Sequence, residues 1–188
     1  MGLNEDENAK AVANTGKGVA ADPSLWGQPG HMSMVEAKTF ASFRDEVQKR
    51  GGEFRETVYS FGEEEGETYA LGRWLRARKF VLADVIKMVE EATECRKAAK
   101  EKNFYPNPVD VLGVEPAIFF AQYPQVYSGV AKNGCPVFIS KPGLLNVDAV
   151  ECITTLEGII QFHWYVMMHD FAKRLREEKA KNPEGFTR

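Results

Sequence analysis

The chain has 188 residues, 44% of them hydrophobic and 11% aromatic, with a net charge of −3 and a pI near 5.7. That length accommodates one domain, or one small domain and part of another, with enough apolar content for a packed core. The slight acidity excludes a bulk attraction to nucleic acid or to an anionic membrane, so any affinity for anions has to be local.

Residues 1–32 are rich in Gly, Ala, Asn, Asp and Pro, show no sustained period, and are expected to form a flexible tail. The opening MGLNEDENAK is acidic and lacks the apolar run of a secretory signal. Gly2 is followed by Asp6 where a myristoylation signal needs Ser or Thr, so that modification is not expected. The isolated GKG at 16–18 lies in this tail and does not read as a phosphate loop. Trp26 is the tail residue suited to docking on a folded body.

Ordered structure is expected from Ser33. Ser33 and Glu36 form an S-x-x-E capping box, Phe40, Phe43 and Val47 follow at helical spacing, and Gly51 and Gly52 stop the helix. FGEEEGET reads as an acidic, solvated connection. A second helix covers TYALGRWLRARKF, where Arg73, Arg76, Arg78 and Lys79 gather among Leu, Trp and Phe. A third covers VLADVIKMVEEATECRKAAKEKN, with an apolar stripe through Val85, Val89 and Ala92. Its acids sit early and its bases late, as the helix dipole favours, and the two prolines of NFYPNP end it.

The character then changes. QVYSGV and PVFIS read as strands around AKNG, because Asn-Gly is a strong hairpin signal. Thr154 and Glu157 form a second capping box, opening a helix expected to run unbroken to about Lys181. Its spacing turns Leu156, Ile159, Ile160, His163, Val166, Met167 and Phe171 inward. Two strands and one covering helix do not close a sheet by themselves. No internal repeat is present.

No catalytic set is legible: there is no G-x-S-x-G, no P-loop and no Cys/His arrangement. Cys95, Cys135 and Cys152 are odd in number and lack a C-x-x-C pair, which fits a reducing compartment. His163 and His169 lack the i,i+4 spacing of a helical zinc pair. No enzymatic activity, metal or cofactor is therefore expected. The four bases form too small a footprint for nucleic acid on an acidic chain. No segment holds the roughly 18 apolar residues of a membrane span.

LGRWLRARKF and the helix after it resemble the N-terminal helical segment of the CRAL-TRIO lipid-binding family, which includes phosphatidylinositol transfer proteins. YPQVYSGVAKNGCPVFIS, followed by TTLEGIIQFHW, resembles the start of that family's lipid-binding domain. The resemblance runs from about Glu36 to Arg188 and takes in both motifs in the family's order. It implies a helical region over 33–108 and the first part of an α/β lipid-binding domain over 109–188. The family is α/β. This chain is expected to be mostly α-helical with a short β-hairpin, an incomplete CRAL-TRIO domain.

The resemblance also implies a role for particular residues. Arg78 and Lys79 match the basic pair that contacts the headgroup phosphate in phosphoinositide-binding members. Tyr127 and Phe138 match aromatics that line the lipid cavity, with Phe138 standing where some members offer a tyrosine hydroxyl to a choline lipid. The implied function is non-catalytic phospholipid binding and intermembrane transfer by a cytoplasmic protein touching intracellular membranes peripherally. Its partners would be a phospholipid and, transiently, a membrane surface, with no protein partner identifiable. Two other readings stay open. One is a helical module that exposes an apolar face between residues 117 and 171 to a protein partner or to itself. The other is a partial gene product without stable function.

Overall fold

The computed structural model describes residues 26–28, 30–62, 65–132 and 134–183. The chain divides into two compact units, the first ending at Arg96 and the second beginning at Lys97. Of the expected tail, residues 1–25 and Pro29 lie outside the described residues, as do Glu63, Glu64 and Asn133.

In the first unit the capping box forms as the sequence reads. Ser33 Oγ accepts from the Glu36 amide at 3.3 Å, and the Ser33 amide donates to Glu36 Oε2 at 2.7 Å. Two amides that a helix start leaves orphaned are thereby satisfied, and α1 runs over Met34–Arg50. Gly51, at φ 58°, ends it. The chain does not continue into a loop. It turns at Gly51 into a short helix, α2 (Gly52–Val58), that the paired glycines conceal in the sequence. α3 covers Glu67–Ala77 and α4 covers Leu82–Glu101. Phe43, Val47, Leu71, Leu75, Val85 and Val89 are all fully buried in one core, as the helical spacing requires.

The second unit holds helices that proline hides. α5 (Pro108–Leu112) and α6 (Pro116–Gln122) each carry proline in the first turn, where its missing N–H would have found no intrahelical partner anyway. In the sequence the first of these prolines, Pro108, reads only as a stop. β1 (Gln125–Val130) and β2 (Pro136–Ser140) then form an antiparallel pair with Tyr127 opposite Phe138 and Val126 opposite Ile139. Both strands have the expected bounds, and they are the whole sheet among the described residues. A 3₁₀ turn at Pro142–Leu144 leads to α7 (Val147–Ile153), capped by Asn146.

Three expectations for the long helix need correction. The cap is Thr155, whose Oγ1 accepts from the Gly158 amide at 3.0 Å, while Thr154 closes α7. Glu157 accepts from Gln161 at 2.9 Å instead of reaching back to a cap. The helix is α8 (Leu156–Tyr165), then a π-helical turn at Val166–Phe171, then α9 (Ala172–Lys181). The inward face is also rotated from the one expected: Val166 is buried and Ile159 packs on the same core as the spacing requires, but Phe162 is buried with them, while Leu156 is 74% and Ile160 53% exposed and His163 faces solvent. Phe162 packs edge-on against Phe119 at 5.4 Å, so the aromatic pair outweighs the aliphatic stripe in setting the rotation. Gly158 fixes the crossing with α5. A Cβ there would lie 2.5 Å from the Val111 carbonyl oxygen.

Candidate functional site

The four bases of LGRWLRARKF have different fates. Arg73 forms a two-pronged pair with Glu65, one arm at 2.9 Å, and also reaches the Val58 carbonyl at 3.3 Å. Glu65 is only 8% exposed, so the acidic loop is solvated in part only: one of its carboxylates turns inward to hold Arg73. Arg76 is half-buried and donates to the Gly27 carbonyl at 3.3 Å, with its guanidinium 5.5 Å from the Tyr69 ring. Burial holds its pKa below the ordinary guanidinium value. Arg76 forms no ion pair among the described residues.

Arg78 and Lys79 remain outside. α3 ends at Ala77, and Arg78 caps it with φ −123°. Lys79 and Phe80 follow at φ 50° and 59°, a left-handed conformation that residues other than glycine seldom adopt. Phe80 holds this turn, with its ring 9% exposed in the core and its amide donating to the Leu75 carbonyl at 2.9 Å. Burying Phe80 leaves Arg78 and Lys79 exposed side by side. Arg78 Nη1 donates only to the neighbouring Ala77 carbonyl at 3.1 Å, and Lys79 has no partner among the described residues. Two adjacent cations with no carboxylate partner among the described residues can receive an anion, the guanidinium by two parallel hydrogen bonds and the ammonium as a point charge.

Tyr127 and Phe138 lie in the second unit and face one another across the hairpin, ring centroids 5.1 Å apart. Phe138 is 39% exposed and Tyr127 half-buried. From the other side the Arg174 guanidinium stacks on the Tyr127 ring at 4.1 Å, held by Asp170, which accepts from Arg174 Nε at 3.1 Å. The Tyr127 hydroxyl is shielded from solvent and makes no hydrogen bond to a described residue. Burial, and then the charge of Asp170, push its pKa well above the usual phenol value. The D-x-x-x-R spacing of Asp170 and Arg174 is a readable helix pair, but nothing in the sequence says that it meets Tyr127.

A cleft of about 820 Å³ opens in the first unit between Gly52, Arg55, Glu56, Tyr59, Glu67 and Arg96. Its charges are matched: Arg96 Nη1 donates to Glu56 at 3.3 Å, and the Tyr59 hydroxyl donates to Glu67 at 3.2 Å. Arg78 and Lys79 do not line it. Among the described residues no His, Cys, Asp and Glu group could hold a metal ion, and no helix is long and apolar enough to cross a membrane.

The basic turn thus belongs to the first unit, and the aromatic-faced hairpin belongs to the second, after α5 and α6. The chain belongs to the CRAL-TRIO family, that of the Sec14 factors. It is 30% identical over 138 residues to the SEC14 cytosolic factor of Candida glabrata, covering 73% of this chain and 41% of that protein. It is 33% identical over 145 residues to the SEC14 cytosolic factor of Kluyveromyces lactis, covering 76% of this chain and 43% of that protein. The phosphatidylinositol/phosphatidylcholine transfer protein SFH9 of Arabidopsis thaliana is 30% identical over 97 residues, 48% of this chain and 15% of that one. The chain thus spans less than half the length of the curated relatives it matches. No family model matches it.

Proposed function

We propose that the chain binds phospholipid and serves intermembrane phospholipid transfer without a covalent step, acting from the cytoplasm by transient contact with membrane surfaces. The observation that carries this is the pair of exposed bases, Arg78 and Lys79, presented by a strained turn in a chain similar to phosphatidylinositol/phosphatidylcholine transfer and Sec14 cytosolic factors. Arg78 and Lys79 hold the headgroup phosphate, which favours an anionic inositol lipid. Tyr127 and Phe138 contribute apolar wall for the acyl region. Each basic residue contributes about 1 kcal/mol near an anionic surface, so removing both costs about 2 kcal/mol, roughly thirtyfold in affinity.

The test is transfer of labelled phosphatidylinositol between vesicles by the chain and by an Arg78→Ala, Lys79→Ala variant. Transfer by the chain and its loss in the variant are expected. A chain that extracts no lipid overturns the transfer reading, and a variant that transfers equally well overturns the headgroup assignment.

A second reading has its own support. Ile118, Val126, Val130, Phe138, Leu144, Val147, Leu156 and Ile160 are all exposed apolar residues of the second unit. An apolar surface of that extent also suits a protein-interaction module. Concentration-dependent association without lipid pickup would favour it.

A further inference from the structure

Contacts of Trp26 and Gly27 converge on the residues that shape the basic turn. The Trp26 ring meets the Phe80 ring edge-on at 5.6 Å. The Gly27 carbonyl accepts from Arg76 Nη1 at 3.3 Å. Gly27 itself, at φ 67°, lies so close that a Cβ would stand 2.8 Å from both Arg76 Cγ and Phe80 Cε2. A few residues on, Met32 is fully buried in the core.

Trp26 is held by a group with a second task. Its indole Nε1–H donates to Glu36 Oε1 at 2.7 Å, while Glu36 Oε2 closes the capping box on the Ser33 amide. One carboxylate therefore joins the start of α1 to Trp26, and Trp26 joins it to the end of α3. Phe80 is the residue that keeps Lys79 and itself left-handed, a conformation costing on the order of 1–3 kcal/mol per residue unless its surroundings fix it.

We propose that Trp26 is a positioning residue for the Arg78–Lys79 turn: clamped to Glu36 and packed on Phe80, it keeps both cations directed outward at a phosphate group. This rests on the reading of that turn as a headgroup site and adds a residue to it. Trp26 touches no ligand and acts through Phe80. The shared ligand chemistry is a phosphate ester or free phosphate.

Two measurements on the full chain test this. In the first, trypsin cleavage after Arg78 and Lys79 is timed in the chain and in Trp26→Ala, Trp26→Phe and Gly27→Ala variants. Cleavage at these two bonds should quicken about threefold to tenfold in Trp26→Ala, reflecting the loss of an edge-to-face aromatic contact. Trp26→Phe, which keeps the ring contact but not the bond to Glu36, should restore part of the protection, and Gly27→Ala should match Trp26→Ala by displacing the segment sterically. Unchanged cleavage at these bonds in both Trp26→Ala and Gly27→Ala overturns the proposal whether or not lipid binds, as does equal acceleration at every site.

In the second, the same variants and Arg78→Ala, Lys79→Ala are bound to phosphatidylcholine vesicles with and without phosphatidylinositol, and to inorganic phosphate. A weakening in Trp26→Ala, partly rescued by Trp26→Phe, supports the proposal, and the phosphate arm separates a headgroup from a free anion. Wild-type binding in Trp26→Ala beside lost binding in Arg78→Ala, Lys79→Ala overturns the positioning role and leaves the headgroup reading standing. Binding unaffected by Arg78→Ala, Lys79→Ala overturns the headgroup reading, and the cleavage measurement then decides the positioning role alone.

Discussion

The two units satisfy their apolar residues to different degrees. The first surrounds Phe43, Leu71, Leu75, Val85 and Val89 completely, and among the described residues its exposed large hydrophobics are Trp26, Met34, Val35 and Val81. The second buries Leu112, Phe119, Val150, Phe162 and Val166 but leaves ten large hydrophobics exposed among the described residues, including both residues of the Val126–Ile139 pair. Three or more strands, or a covering layer on each face, normally complete a sheet. Stability is therefore concentrated in the first unit, while the second carries surface suited to further contacts.

The contrast can be broken most directly in the cores. Phe43→Ala should cost about 3–5 kcal/mol, because it empties a fully enclosed site. Urea denaturation should show the loss, and a cost below that of an ordinary surface change would mean that the first core is not closed. Glu65→Gln comes next. It leaves Arg73 without its carboxylate at a largely enclosed position, and about 2 kcal/mol should be lost, less than the 3–5 of a fully buried pair because Arg73 is partly solvated. Ser33→Ala should cost about 1 kcal/mol by removing one half of the capping box.

A fourth effect is confined to alkaline pH. Tyr59 is partly buried beside Glu67, and burial first and the carboxylate second raise its pKa from 10 to about 12. The folded state thus keeps its proton where the unfolded state has lost it. The contribution is complete below pH 10 and declines as pH rises toward 12, so the urea midpoint should fall in that window and fall less in Tyr59→Phe. The smallest effect sharpens the contrast from the other side. Leu156→Ser, at a position 74% exposed, should change stability by no more than about 0.5 kcal/mol while lowering any concentration-dependent association. A large loss of stability there would show that the second unit covers this residue in solution.

Local rules served the sequence reading well wherever one residue decides one contact. The Ser33 cap, the Gly51 stop and the bounds of both strands follow from side chains acting on the nearest backbone groups. Reading failed where two segments compete for one position. Proline looked like a stop until Asn107 capped a helix that begins with it. The inward face of α8 was assigned from aliphatic spacing, but Phe162 meeting Phe119 sets the rotation. The candidate site divides in the same way. The basic cluster and the aromatic pair were visible as motifs, whereas Glu65, Trp26, Gly27, Asp170 and Arg174 act on them across distances in sequence that no periodicity reports.

By itself, then, the sequence determined three of the four helices of the first unit, the two strands of the hairpin, and the concentration of positive charge before Phe80, because each depends on capping, spacing or turn chemistry within a few residues. The tertiary structure decided which of four equivalent-looking cations face water. Arg73 is taken by Glu65 and Arg76 by the Gly27 carbonyl, while burial of Phe80 turns Arg78 and Lys79 outward. Charge is a property of composition, but its availability depends on what else is folded against it.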